Sequence, residues 1–74
     1  MKMKNKLDII NNFPIILQER INRRVLLYPT CEHYTILLNA ACLIFGIKEN
    51  EARNKYSNFT YDDWNELLKS YLLV

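Results

Sequence analysis

From Thr30 to Gly46 the chain reads TCEHYTILLNAACLIFG, and inside that stretch only Glu32, His33, Thr35 and Asn39 are polar. At helical spacing Glu32, Thr35 and Asn39 fall at i, i+3 and i+7, a narrow wet strip on an otherwise apolar cylinder. Such a helix has to be wrapped by other elements, and 74 residues leave room for one such centre. Both ends carry stop and start chemistry. Pro29 ends whatever precedes it, and Thr30 can accept a hydrogen bond from the first turn. Glu32 suits the positive end of the helix dipole, and Gly46 can take the left-handed conformation that closes a helix.

The rest of the composition points the same way. One Gly and two Pro leave few sites for the tight hairpins of a multi-stranded sheet, so helices are favoured. The expected fold is all-α: a compact bundle of three to four short helices around a central hydrophobic helix at about 30–45. The expected organisation is a mobile basic arm at 1–6 and a single helical domain at 7–74. Leu7–Ile10 reads as an apolar turn or short helical lead-in.

A first helix is expected from Pro14 to Tyr28, capped by Asn12 or Phe13 and stopped by Pro29. Leu17, Ile21, Val25 and Tyr28 form its apolar stripe, which Ile15, Ile16, Leu26 and Leu27 widen. Glu19 and Arg23 stand at i and i+4, in the favourable order for an ion pair. A short third helix is expected over Lys48–Tyr56, with Glu49 and Glu51 early and Lys55 late. The last helix has the clearest start. Thr60 is the cap, Asp63 completes a capping box, and Phe59 and Trp64 form a hydrophobic staple. It is expected to reach the C-terminus at Leu73–Val74.

The chemistry-bearing residues do not gather. Cys31 and Cys42 lie about 16 Å apart along one helix, too far for a disulfide, which needs Cα atoms within about 7 Å. Cys42 reads as a small buried hydrophobe. Cys31, in the first turn, is a candidate reactive thiol or intermolecular bridge. His33, the sole histidine, reads as a surface or half-buried side chain. It points away from Cys31, so a shared metal or a Cys–His catalytic pair is not expected. With a single Gly there is no phosphate-cradling loop. No enzyme activity, metal or cofactor is expected.

Ten basic and eight acidic residues give a net charge of +2, too balanced by itself to imply nucleic acid or an anionic membrane. The longest apolar run, Ile36–Ile47, is about a dozen residues, whereas a bilayer span needs about 20. A soluble, cytoplasmic protein without membrane association is expected. The wealth of Asn, Ile, Lys, Tyr and Phe resembles translation of an AT-rich genome, as in low-GC bacteria and their phages.

Arg20, Arg23 and Arg24 make a basic cluster that could dock on an acidic partner or on phosphates. The apolar surface exceeds what so small a core can hide: the first helix has apolar residues beyond its main stripe, and the central helix is covered only if the thin third helix covers it. The chain is therefore expected to act by binding another protein, as a regulator, inhibitor or adaptor, with a homodimer possible. The expected contact residues are Arg20, Arg23, Arg24, Tyr28, Tyr71, Leu73 and Val74.

A second reading rests on NAACLIFGIKENEARNKY, where Cys42, Gly46–Ile47, Ala52 and Tyr56 fall near helix-turn-helix spacing. This resembles that DNA-binding motif over about 20 residues and implies contacts from Lys48, Arg53, Asn54 and Lys55. Phe45 stands where the motif carries a small residue, and Glu49 and Glu51 would face phosphates with the wrong sign.

Overall fold

A computed structural model describes residues 6–72. Among them the chain forms five helices and no strand: α1 Lys6–Asn11, α2 Ile15–Asn22, α3 Cys31–Phe45, α4 Glu49–Tyr56 and α5 Tyr61–Leu68. This is the expected all-α bundle with one more helix, because the Leu7–Ile10 patch forms a helix of its own. Apart from Lys6, which opens α1, the arm expected at 1–6 lies outside the described residues.

The central helix has the expected bounds. Thr30 accepts at its side chain from the His33 amide, and Gly46 closes α3 at φ 66°, its amide bonded to the Cys42 carbonyl. α3 packs against α1 and α4, while α2 packs against α5. Leu37, Leu38 and Ala41 of α3 meet Leu17 and Ile21 of α2 and Trp64 and Leu68 of α5 in one core. Glu32, Thr35 and Asn39 lie on the wet side, as their spacing requires.

α5 starts as expected. Thr60 and Asp63 form a full capping box, and the Phe59 and Trp64 rings meet at 5.4 Å. Tyr56 joins both rings at 5.0 and 5.2 Å, which fastens α4 to α5. Trp64 Nε1 is the one buried side-chain polar atom among the described residues with no hydrogen-bond partner.

Five expectations about helix extent, capping and side-chain placement are corrected. α2 is eight residues long, not the fifteen from Pro14 to Tyr28. Arg24 adopts φ 56°, its amide bonds to the Ile21 carbonyl and the Val25 amide to the Arg20 carbonyl. That pair of bonds is a Schellman stop with arginine in the place glycine usually takes. Pro14, rather than Asn12 or Phe13, is the cap residue, without a side-chain bond. Because the helix ends at Asn22, Arg23 is itself the cap, and among the described residues no ion pair joins it to Glu19.

α5 likewise ends early, at Leu68. The Tyr71 and Leu72 amides both turn back to the Leu68 carbonyl, bringing the Tyr71 ring to 6.2 Å from Phe45. His33, expected at the surface or half-buried, is buried at 8% exposure because it shares the inner stripe of α3 with Leu37, Ala40 and Ile44.

Candidate functional site

With α2 stopped at Asn22, residues 23–30 cross to α3 as a strap of turns and irregular backbone. The physical reason for its course lies at the start of α5. The first amides of a helix have no partner inside it. Here the Tyr61 amide donates to the Leu27 carbonyl at 2.9 Å and the Asp62 amide to the Val25 carbonyl at 3.0 Å. The Asp63 amide goes to the Thr60 hydroxyl. The strap thus completes the cap of α5, and the fold of one depends on the other.

Side chains add to this fastening. The Arg24 guanidinium bonds to Asp62 at 2.5 Å and also to Glu66. Hydrogen bonds and charge from both carboxylates, Asp62 first, hold it in its protonated form above the ordinary arginine range. Bonds from Arg24 and then Lys69 hold the Glu66 carboxyl below its ordinary range. Asn65 Nδ2 donates to the Ile21 carbonyl at 3.0 Å, tying the last turn of α2 to α5.

Beneath the strap lies a polar knot. The Tyr61 hydroxyl, on a side chain only 1% exposed, sits 2.8 Å from His33 Nδ1. It also accepts from Arg20 Nη1 at 3.1 Å and from the Thr30 amide at 3.3 Å. The Arg20 guanidinium lies 5.6 Å from the centroid of the same ring, within cation–π range.

With its backbone bound inward, the strap turns large apolar side chains outward. Leu26, Leu27 and Tyr28 are 75%, 66% and 67% exposed. Ile15 and Ile16 at the start of α2 and Leu43 near the end of α3 are also exposed. Beside the strap, Tyr28, Pro29, Cys31, Tyr34 and Ser57 line an open recess of about 330 Å³.

The expected contact residues are therefore divided. Tyr28 is on the exposed run and Arg23 is exposed at its foot. Arg20 and Arg24 are engaged within the molecule, by Tyr61 and by Asp62 with Glu66. Tyr71 is half-buried against Phe45, and Leu73 and Val74 lie outside the described residues. On α4, Arg53 is paired with Glu49 at 2.7 Å and Lys55 with Glu51 at 3.7 Å, while Lys48 and Asn54 are exposed. Both cysteines are free thiols, Cys31 exposed and Cys42 half-buried.

The buried pairing of His33 with Tyr61 was missed in reading the sequence. The signal for it is the series His33, Leu37, Ala40, Ile44 at i, i+4, i+7 and i+11, which sets the imidazole on the inner stripe. The fold defines the class: a small all-helical protein whose loop presents apolar side chains over a buried polar knot. No protein-family model, curated protein or solved structure matches the chain. No helix among the described residues is long and apolar enough to cross a membrane.

Proposed function

We propose that the protein acts without catalysis, by binding another protein as a small regulator, inhibitor or adaptor, and that the strap at 23–30 makes the contact. One observation carries the reading. Leu26, Leu27 and Tyr28 are exposed in succession on a segment whose backbone is fastened to α5. Exposed apolar side chains scattered singly are ordinary, but a contiguous run on an ordered segment marks an interaction surface. An ordered run also loses little conformational entropy on binding, which favours affinity. Arg23 at its foot supplies a cation for the polar rim of such a contact. The partner class is a protein with an apolar recess, and a second copy of this chain is one such partner.

DNA binding through α4 has less support. Its two cations are each paired with a carboxylate of the same helix, so little free positive charge is left to displace counterions from phosphates.

The test is a triple variant, Leu26→Ser, Leu27→Ser and Tyr28→Ser. These side chains are already in water, so each substitution should change stability by no more than about 0.5 kcal/mol. The variant is expected to keep the helical circular dichroism of the parent. It is also expected to lose the protein that the parent retains from the native host, or the dimer mass by light scattering if the partner is a second copy. Undiminished association by a folded variant would remove the strap from the contact.

A further inference from the structure

We infer that His33, Tyr61 and Arg20 form a proton-sensitive latch on the strap, so that protonation of His33 loosens the segment that carries Leu26, Leu27 and Tyr28. The argument is a count of donors and acceptors around one oxygen. A phenolic hydroxyl has one hydrogen to give and two lone pairs to accept with. At Tyr61 the Arg20 guanidinium and the Thr30 amide both point at the oxygen, and both groups can only donate. They occupy the two lone pairs. The hydroxyl hydrogen then goes to the third neighbour, His33 Nδ1, at 2.8 Å. Nδ1 must therefore be bare, and the imidazole is neutral with its hydrogen on Nε2.

Protonation breaks that count. Nδ1 becomes a donor, so three donors compete for two lone pairs, and the hydroxyl hydrogen loses its acceptor in a place almost closed to water. The other charged groups nearby do not relieve this. On α2, Arg20 is a cation bonded to the same oxygen, so a charged imidazole meets like charge, while Glu19 is exposed. On α5, Asp62 is taken by Arg24 and Asp63 by the Thr60 amide. On α3, Glu32 is exposed. On α4, Glu49 and Glu51 are paired with Arg53 and Lys55, and on α1, Asp8 is exposed.

The longest bond at the oxygen is the one from the Thr30 amide, and it is the bond released first. Thr30 is the end of the strap, so losing this bond loosens the strap at the end nearest Tyr28, while the Thr30 carbonyl and hydroxyl stay bonded to the first turn of α3. Protonation of this one imidazole thereby becomes a control on strap order. That this control bears on partner affinity rests on the function proposed above, but the latch itself is measured without any partner.

The tautomer can be read directly, because His33 is the only histidine. In the full chain, long-range ¹⁵N–¹H correlation at pH 7.5 is expected to show hydrogen on Nε2 and none on Nδ1. As pH is lowered from 7.5, exchange of the Thr30, Tyr61 and Asp62 amides, corrected for the intrinsic pH dependence, is expected to speed up several-fold relative to core amides of α3 once the same spectra show hydrogen on Nδ1. In His33→Asn, whose side-chain oxygen can take the place of Nδ1 but does not titrate, that response is expected to vanish. Hydrogen on Nδ1 at pH 7.5, protection that does not change with pH, or the same response in His33→Asn would each overturn the latch. A pH-insensitive strap whose triple serine variant still loses the partner sinks the latch and leaves the function. A pH-responsive strap that no partner touches does the reverse.

Discussion

Arg24 shows how one side chain can override the local code. A non-glycine residue in the left-handed region is sterically disfavoured, and nothing in Asn22–Arg23–Arg24–Val25 announces a helix stop. The conformation is held because the guanidinium reaches Asp62 and Glu66, about 40 positions later in the chain. Glu66 makes the stop depend on pH. Glu66 ionises more readily in the folded chain than in the unfolded one, since Arg24 and Lys69 bond to it. Its stabilising contribution is therefore full above the ordinary glutamate range and is lost as pH falls through its own lowered value. Urea midpoints at low salt are expected to fall as pH drops below about 4.3, the ordinary glutamate value. Glu66→Gln is expected to start lower at neutral pH and to show a shallower decline. High salt should shrink the difference, because these groups are exposed and screened. By contrast, Gly46 and Thr60 follow rules visible at the residue itself, which is why both ends of α3 and the start of α5 were legible in the sequence.

At the scale of elements, the strap and α5 complete one another. The strap's carbonyls take two amides that α5 cannot satisfy alone, and α5's carboxylates keep Arg24 in its turn. Replacing Arg24 separates the two contributions. Arg24→Gly loses the ion pairs but makes the left-handed turn free of steric cost, whereas Arg24→Ala loses the ion pairs and keeps that cost. The glycine variant is expected to melt at a higher temperature than the alanine variant, and the strap amides of the alanine variant should exchange fastest. Equal melting temperatures would mean that the turn is not under conformational load. Helix α3 and the start of α5 were legible from their caps and periodicity, and α4 from its early acids and late bases, whereas the end of α5 was not. The end of α2 was not, because apolar residues continue at helical spacing to Tyr28 while the stop is imposed by a distant helix.

At the scale of the molecule, the radius of gyration of 11.5 Å matches the roughly 11 Å expected of a folded chain this long. The accessible surface of 5263 Å² exceeds the roughly 4,800 Å² expected for a monomer of 8.9 kDa. Exposed large apolar side chains are present in both places where the sequence led us to expect them, the 14–28 segment and the central helix. Leu43 and Phe45 of the central helix are exposed, yet most of the surplus is on the strap and the start of α2.

So small a core has little reserve, on the order of 4–11 kcal/mol for a chain of this length. Leu17 is fully buried where α2 meets the core, and Leu17→Ala is expected to cost about 2–5 kcal/mol. At about 4–8 °C per kcal/mol, the melting temperature should fall by at least about 8 °C, as scanning calorimetry can check. A smaller fall would mean that the α2 side of the core repacks around the loss.

The sequence by itself determined the central helix, the caps at Thr30, Gly46 and Thr60, the all-helical class and the excess of apolar side chains. Each follows from periodicity or from groups within a few residues of one another. Only the tertiary structure decided how that excess is displayed on the strap, why α2 stops at Asn22 and why His33 is buried against Tyr61. Those outcomes come from hydrogen bonds and ion pairs between residues some 30 to 40 positions apart. Such partners become neighbours only once α2, the strap and α5 have packed together.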